Sequence, residues 1–349
     1  MFRLTKLLDE IVRPTPAGPR RDPPGPVVIW NLIRRCNLRC KHCYSVSGNV
    51  DFPGELATEE VLRCMQGLKA FKVPVLILSG GEPLLRPDIF HIARHAKKLG
   101  FYIGLSTNGA LIDKVNVGAI ADAGFDYIGI SFDGIGDTHD RFRGKKGAFE
   151  ASLAGLRLCR EHGLKVGLRF TMTMDNHAEL DALLRLLEVE GADKFYLSHL
   201  VYAGRGNKNR GDDAELGITR AAMERLFEAA WSHLERGTGK EFVTGNNDAD
   251  GAFLYLWVKR RFPEAAEHLR AKLAEWGGNA SGVNVANIDN LGNVHPDTMW
   301  WHHNLGSVKD RPFSAIWQDT SDPIMAGLKL RPRRIGGRCG SCSFFDLCG

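Results

Sequence analysis

The sequence predicts an α/β fold in the form of an open barrel of six strand–helix units. Short apolar runs rich in β-branched residues alternate with amphipathic helical patterns from residue 26 to residue 201. Each unit takes roughly thirty residues, as units of a strand and its crossover helix do. A complete ring of this type needs eight units. We therefore expect a partial (β/α)6 TIM-like barrel whose open side admits a large substrate.

The strands of this barrel are predicted from apolar stretches that are bounded by turn residues. In chain order they cover residues 26–32, 73–79, 102–109, 128–133, 165–174 and 194–201. The helices between them follow from the 3.6-residue periodicity of their apolar positions. They cover 58–71, 88–99, 113–123, 148–162 and 178–190, and Thr58 followed by Glu59 and Glu60 gives the first a cap and an acidic first turn.

Beyond the sixth strand the pattern changes. A glycine-rich, charged stretch over 203–213 predicts a mobile loop, and helical patterns follow over 219–236 and 252–276. A short hairpin is predicted from 283–288 and 294–296 around a Gly-Asn turn. The predicted organisation is an N-terminal extension (1–25), the barrel (26–218), a helical linker region (219–280) and a C-terminal region (281–349).

Three cysteines lie within eight residues on the loop after the first strand, at Cys36, Cys40 and Cys43. Three thiolates hold three corners of a 4Fe-4S cube and leave the fourth iron open to a small molecule that carries an amine and a carboxylate. A zinc site completed by His42 or a distant residue is the alternative that the spacing leaves open.

Polar residues follow the ends of the next strands, where a barrel of this type carries its chemistry. The second strand ends in Gly80, Gly81, Glu82 and Pro83, in which the glycines admit a ligand to the backbone and the carboxylate accepts from an ammonium. Hydroxyl, amide, carboxylate and guanidinium groups follow on the third to fifth strands and the loop after the fourth, at Ser106, Asn108, Ser131, Asp133, Arg143 and Arg169. Each of these residues also has an ordinary structural explanation, such as a turn, a local hydrogen bond or an ion pair.

The cysteine spacing and the Gly-Gly-Glu-Pro segment together resemble the radical S-adenosylmethionine (SAM) superfamily. The resemblance implies that Cys36, Cys40 and Cys43 hold a 4Fe-4S cluster and that SAM binds its open iron. It implies that residues 80–83 bind the methionine amino group. Ser131 and Asp133 are then expected at the ribose and Arg169 at the methionine carboxylate, with Ser106, Asn108 and Arg143 as further candidates for cofactor binding.

A second cysteine set lies near the C-terminus, at Cys339, Cys342 and Cys348. With the preceding hairpin it resembles the SPASM or twitch extension of this superfamily, which implies an auxiliary iron–sulfur cluster. Zinc is again the alternative for this spacing. The chain departs from the family pattern at residues 295–297, where many members have a cysteine, and it ends one residue after Cys348. We therefore expect a truncated C-terminus, with an auxiliary cluster that has three ligands or is absent.

Several stretches also resemble the superfamily members that act in haem d1 biosynthesis, namely residues 14–21, 28–36, 75–83, 295–301 and 311–317. The resemblance implies a tetrapyrrole substrate, 12,18-didecarboxysirohaem, from which two propionate side chains are removed and replaced by oxo groups through a 5′-deoxyadenosyl radical. An external low-potential electron donor is implied as well. Candidate ligands for the substrate iron are His199, His295, His302 and His303, although most histidines have structural roles.

Composition agrees with these expectations. The chain of 349 residues is 44% hydrophobic and 25% charged, which is enough for one large core with an appendage. With neither a long apolar stretch nor a signal peptide, we expect a cytoplasmic protein without nucleic-acid or membrane partners. Its eight cysteines then indicate metal ligation rather than disulfides, with Cys64 and Cys159 as ordinary buried thiols in helices. The alternatives are a related radical enzyme that acts on a peptide or another porphyrin, and a zinc- or cluster-binding protein without catalysis.

Overall fold

A computed structural model describes residues 1–16 and 25–349 of the chain. Within these ranges nine strands form one sheet in the order β7-β6-β5-β4-β3-β2-β1-β8-β9. In chain order the strands are β1 Val27–Asn31, β2 Val75–Ser79, β3 Tyr102–Thr107, β4 Tyr127–Ser131, β5 Val166–Thr171, β6 Lys194–Ser198, β7 Glu241–Gly245, β8 Val285–Ile288 and β9 Val294–His295. All neighbouring strands pair in parallel except β8 and β9. The predicted α/β fold with a partial barrel is confirmed.

The helices cover the outside of this sheet. In chain order they are α1 Leu4–Val12, α2 Thr58–Ala70, α3 Ile89–Lys98, α4 Val117–Asp122, α5 Asp137–Arg143, α6 Ala148–Glu161, α7 Leu180–Val189, α8 Gly204–Lys208, α9 Leu216–Glu235, α10 Ala249–Arg261, α11 Ala266–Trp276, α12 Phe313–Gln318, α13 Pro323–Lys329, α14 Gly337–Gly340 and α15 Phe345–Cys348. Among the described residues no helix is long and apolar enough to cross a bilayer.

The strands alternate between a large apolar face and a smaller, more polar one. Residues such as Trp30, Leu76 and Ile128 are completely buried against the helices. The opposite face carries small and polar residues, which include Gly129 and Arg169. A Cβ atom at Gly129 would lie 2.8 Å from Cδ of Arg169, so the glycine makes room for the arginine to cross the inner face. Strand alternation therefore points the polar set into the barrel.

The series of parallel strands is longer than the sequence predicted. We expected the sixth strand to be the last and residues 219–280 to be helical. The structure adds β7 within that region, parallel to β6, and β8 beside β1. The sequence pattern did not predict β7 because this strand is only five residues long and begins with the charged Glu241. In the structure the carboxylate of Glu241 pairs with Lys194 of β6 at 2.8 Å. The helical pattern over 252–276 is broken at Pro263, where α10 ends and α11 begins after a short 3₁₀ turn.

Two segments predicted as loops are ordered elements. Residues 137–143 form α5, and residues 203–213 contain α8 and a 3₁₀ turn rather than a mobile loop. Both pack beside the cysteine loop, as described below. At the other end of the sheet, α1 packs on β7, and Phe2 exchanges two backbone hydrogen bonds with Thr244 of that strand at 2.8 and 2.9 Å. Residues 17–24 of the predicted N-terminal extension, and part of the 14–21 stretch, lie outside the described residues.

Candidate functional site

The cysteine loop after β1 is clamped between two helical segments. The backbone N–H groups of Arg39 and Lys41 donate to the carbonyl oxygens of Arg143 and Phe142 in α5, each at 3.1 Å. From the other side Arg205 of α8 donates through its side chain to the carbonyl of Cys40 at 2.7 Å. Its backbone N–H donates to the carbonyl of Cys43 at 2.9 Å. The loop therefore has a fixed path although it contains no regular structure.

Each of the three sulfur atoms has a polar neighbour. The Sγ of Cys36 accepts from the backbone N–H of Leu38, and the Sγ of Cys40 accepts from Nη1 of Arg143, each at 3.4 Å. The Sγ of Cys43 lies 3.4 Å from the hydroxyl of Ser45. Hydrogen bonds of this kind stabilise a thiolate and tune the potential of a metal that it binds.

Burial opposes ionisation of these thiols in the absence of a metal. It raises the pKa of Cys36 to about 12 and raises the pKa of Cys40 as well. Burial opposes ionisation of Cys43 too, but hydrogen bonds from Ser45 and Ser47 outweigh it and lower the pKa of that thiol. Because metal ligation requires thiolates, loading this site must release protons.

The donor set fits an iron–sulfur cluster. Within residues 1–16 and 25–349 no three His, Cys, Asp or Glu side chains converge on the position of a single ion. A cube spreads its thiolates over separate irons, so a cluster does not require such convergence. His42, the alternative fourth ligand of a zinc site, stacks on Phe142 with ring centroids 4.9 Å apart. Burial lowers the pKa of this histidine well below its usual range.

The Gly80–Pro83 segment lies directly against the cysteine loop. The N–H of Gly81 donates to the carbonyl of Ile33 at 2.6 Å, and the N–H of Glu82 donates to that of Arg35 at 2.9 Å. A Cβ atom on either glycine would collide with these carbonyl oxygens, which explains why both positions lack a side chain. The two loops thus form one continuous floor at the end of β1 and β2.

Glu82 is held in place by three hydrogen bonds from within the protein. The side chain is completely buried, and its carboxylate accepts from the N–H of Leu84 at 3.1 Å, from the hydroxyl of Thr107 at 2.7 Å and from the N–H of Asn108 at 2.8 Å. Burial raises the pKa of Glu82 to about 7. The carboxylate therefore ties the loop after β2 to the end of β3, and its contact with a ligand ammonium stays a prediction.

Asn108 extends this bracing to the cysteine loop. Its side-chain Nδ2 donates to Oδ1 of Asn37 at 2.8 Å, and its own Oδ1 accepts from the N–H of Ala110 at 2.9 Å. Asn37 lies between Cys36 and Cys40 in the sequence. The amide expected to bind a cofactor thus connects the end of β3 to the cluster loop.

Arg169 and Ser131 occupy the inner face that the sequence predicted for them. The guanidinium of Arg169 donates to the hydroxyl of Ser106 and lies over the ring of Tyr196, 5.1 Å from its centroid. Ser131 is half-buried and is the register partner of Arg169 on the adjacent strand. These groups bring a cation and two hydroxyls together inside the barrel, close to the strand ends.

Asp133 and Arg143, both expected to bind the cofactor, form a buried ion pair with each other. Asp133 also accepts from the N–H of Thr171 at 2.8 Å. Burial raises the pKa of Asp133, and the guanidinium of Arg143 opposes that rise. Since Arg143 also donates to Cys40, the pair is a charged support beneath the cluster loop. A basic residue in a loop is usually solvated, but Arg143 lies at the end of α5 and is buried.

The four candidate iron ligands differ in what their rings contact. Both nitrogens of His295 are occupied, Nδ1 by the carbonyl of His303 at 2.7 Å and Nε2 by Asp289 at 3.4 Å. The Nε2 of His199 bonds Asp250 at 3.0 Å, and the Nε2 of His303 bonds Asp322 at 3.0 Å. His302 is exposed and stacks on Trp300.

The C-terminal cysteines lie on the outside of α10 and α11. Cys339 and Cys342 are exposed, and Cys348 is half-buried. Leu347 anchors this segment because it is completely buried in the hydrophobic core. Burial raises the pKa of Cys348 to about 11.

A contact that sequence reasoning missed joins the C-terminal region to the cluster loop. Tyr44, next to Cys43, meets Trp301 edge to face with ring centroids 5.6 Å apart. Its hydroxyl accepts from Asn31 at 2.8 Å, and Asn31 in turn accepts from Asn287 of β8 at 2.7 Å. The signal available in the sequence was the polar Asn31 at the end of an apolar strand.

Comparisons with known proteins agree with this geometry. The Radical SAM superfamily model matches residues 30–187. The chain is 55% identical to the pre-heme d1 synthase of Dinoroseobacter shibae over 100% of its own length and 87% of that protein. It is 42% identical to the Fe-coproporphyrin III synthase of Methanosarcina barkeri over 93% of the chain and 82% of that protein.

A solved structure of SuiB from Streptococcus suis, bound to S-adenosylmethionine, shares the fold. The TM-score is 0.72 at 17% identity, and the match covers 93% of this chain and 72% of that one. The family match and the full-length relatives, together with the cysteine loop, show that the chain belongs to the radical SAM superfamily of enzymes, which use a 4Fe-4S cluster and SAM.

Proposed function

We propose that this enzyme acts in haem d1 biosynthesis and removes two propionate side chains from 12,18-didecarboxysirohaem, in a reaction that leads to oxo groups at those ring positions. The observation that carries the proposal is the 55% identity to a pre-heme d1 synthase over the whole chain. The sheet supports a substrate of this size, since β7 and β9 stand at opposite ends of the strand order and leave the barrel open.

Cys36, Cys40 and Cys43 would hold the cluster, and the Gly80–Pro83 floor would receive the methionine part of SAM. When bound, the cluster and SAM together supply the one-electron reductive cleavage of SAM, which yields a 5′-deoxyadenosyl radical that abstracts hydrogen. Arg169 would bind the methionine carboxylate, and its position supports this role, because its guanidinium lies on the inner face against Ser106 and Tyr196.

The remaining residues position these groups and exclude water. Glu82 and Asn108 hold the loops after β1, β2 and β3 in one arrangement. The Asp133–Arg143 pair supports the loop from below. A radical reaction requires a fixed geometry, because the radical abstracts hydrogen from whichever C–H bond lies nearest and the target bond must therefore be held beside it. Ser131 is a candidate partner for a ribose hydroxyl.

A second cluster at Cys339, Cys342 and Cys348 belongs to the same proposal, with a role as an electron acceptor or donor while the substrate radical resolves. The eight cysteines are free thiols in the structure, which suits metal ligation in a reducing, cytoplasmic setting. For the substrate iron, His199, His302 and His303 each have a ring nitrogen without a hydrogen bond among the described residues, whereas both ring nitrogens of His295 are engaged.

The test is turnover of the anaerobically reconstituted enzyme with SAM, a reductant and 12,18-didecarboxysirohaem. We expect 5′-deoxyadenosine and a product whose mass reflects loss of both propionates, and the Cys40→Ser variant should form neither. An iron coproporphyrin and a peptide serve as competing substrates, because the 42% identical relative is named for an iron coproporphyrin. Substrate-dependent SAM cleavage with one of these alone would refute the haem d1 assignment.

A further inference from the structure

Seven positively charged side chains surround the outer surface of the cysteine loop. Two lie on the loop itself, three on or after α5, and two on or after α8, and all seven are exposed. We refer to them as the basic collar: Arg39, Lys41, Arg141, Lys145, Lys146, Lys208 and Arg210.

The backbone contacts of the loop bring the members of the collar together. Residues 141–146 meet the loop through the hydrogen bonds from Arg39 and Lys41 to the end of α5. On the other side Asn209, between Lys208 and Arg210, donates through Nδ2 to the carbonyl of Lys41 at 2.9 Å. Three separate segments of the chain therefore contribute to one surface around Cys40 and Cys43.

Few carboxylates compensate these charges directly. Lys41 pairs with Asp175 at 2.6 Å. Within residues 1–16 and 25–349 the other six collar residues form no ion pair. Asp140, the acidic residue between Arg141 and His139, is engaged by the backbone N–H groups of Gly147 and Phe149 at 2.5 and 2.8 Å. The collar therefore presents a net positive field to solvent.

We propose that the basic collar is the docking surface for a small electron-carrier protein with an acidic face around its redox group. The inference rests on the proposed function, in which each SAM cleavage needs one electron from outside the protein. In the transfer the reduced carrier loses one electron and the cluster held by Cys36, Cys40 and Cys43 gains it. No bond forms and no proton moves. The exposed Lys41 lies between the cluster ligands Cys40 and Cys43 in the sequence, so a carrier on the collar contacts the loop that would hold the cluster.

Charge complementarity suits such a partner better than a tight complex. Electron-transfer encounters bury small interfaces and are steered by opposite charges, which raise association rates by about 10- to 1,000-fold at low ionic strength. The inner face of the barrel stays free for the tetrapyrrole, because the collar lies on the outside of the loop.

The test measures cluster reduction directly rather than turnover. The probe is a small acidic flavodoxin in its hydroquinone form, mixed anaerobically with the reconstituted enzyme, and loss of the visible absorption of the oxidised cluster gives the rate constant. The charge-reversal variant is Lys145→Glu/Lys146→Glu. The matched control is Arg94→Glu/Lys98→Glu on α3, which changes the net charge by the same four units at exposed positions of another helix.

We expect the collar variant to lower the second-order rate constant at least tenfold at about 10 mM salt, and both variants to approach the wild-type rate at about 1 M salt, where charges are screened within about 3 Å. The control variant should retain most of the rate. Reduced methyl viologen, a small cation, should reduce all three proteins without loss of rate. Equal losses in the two variants, or no loss in the collar variant, would overturn the proposal.

This outcome is separable from the proposed function. SAM cleavage driven by methyl viologen in the presence of the tetrapyrrole reports on the reaction, whereas the flavodoxin rate reports on docking. An enzyme that fails the first measurement and passes the second has a different substrate and the same docking surface.

Discussion

Replacement of Arg143 by glutamine tests how far the fold depends on the ion pair beneath the cysteine loop. Neither Arg143 nor Asp133 exposes more than 7% of its side chain. Removing one partner of a buried pair leaves the other charge uncompensated, which costs about 3–5 kcal/mol. We expect the free energy of unfolding to fall by about this amount, and Arg157→Gln is the control. Arg157 pairs with Glu190 at 2.7 Å but is 55% exposed, so water can solvate the remaining charge and the free energy of unfolding should change little.

The measurement is urea unfolding of the cluster-free protein under reducing conditions, followed by tryptophan fluorescence. Asp133→Asn and the double variant complete a cycle with Arg143→Gln, and the double variant should recover most of the loss because it leaves no buried charge. The deficit of Arg143→Gln should also shrink at lower pH. A buried carboxyl whose pKa is raised binds a proton in the folded state first, so its contribution to stability falls as the pH rises. Equal midpoints for Arg143→Gln and Arg157→Gln would refute the reasoning.

Four further outcomes are expected. Glu82→Ala leaves three donors without an acceptor, and the two buried ones, from Thr107 and Asn108, should cost about 1–3 kcal/mol each. It should therefore lower the urea midpoint and weaken SAM binding in equilibrium dialysis, whereas Glu59→Ala on the surface of α2 should do neither. Because burial raises the pKa of Glu82 to about 7, this group's contribution to the free energy of unfolding should fall as the pH rises from about 4.5 to 7. Glu82→Gln should flatten that part of the plot of unfolding free energy against pH. Cys40→Ser should remove about four irons per chain in a metal count and leave any iron at the C-terminal set. His295→Ala should destabilise the protein but leave the visible spectrum of bound substrate unchanged, since both ring nitrogens are already engaged.

Residue spacing was sufficient to predict the parts of the site that depend on local sequence. Cys36, Cys40 and Cys43 lie on one short loop, and Gly80 to Pro83 lie on the next, so their chemistry could be interpreted before any tertiary contact was known. The inward direction of Arg169 also followed from alternation along β5. These predictions rested on strand geometry, on the preferred ligands of iron and on the resemblance to the radical SAM superfamily.

The partners of the charged groups could not be predicted in the same way. Arg143 and Asp133 are ten residues apart, and nothing in the sequence decides whether each meets solvent, a ligand or the other. Glu82 reaches the end of β3, which is a contact between separate strand–helix units. In each case a polar residue near the site serves the scaffold, because a buried charge needs a partner and the chain supplies one.

The short strand β7 shows another limit of the sequence pattern. Its first residue, Glu241, pairs with Lys194 of β6, and the five-residue strand ends in a glycine, so its apolar run is too short to be recognised in the sequence. Residues 203–213 were misjudged for a related reason. Glycines and charges predict a mobile loop, but Arg205 uses its charge to hold the carbonyl oxygens of Cys40 and Ser47.

The sheet of an incomplete barrel has two edge strands, and another chain can add a strand to either edge and so start aggregation. At the β7 rim the main chain of Phe2 occupies the hydrogen-bonding groups of Thr244, and α1 packs alongside. At the other rim β9 is only two residues long. The barrel thus stays open to its substrate although both sheet edges expose few unpaired backbone groups. Removal of the first twelve residues should therefore lower the solubility of the protein more than its activity.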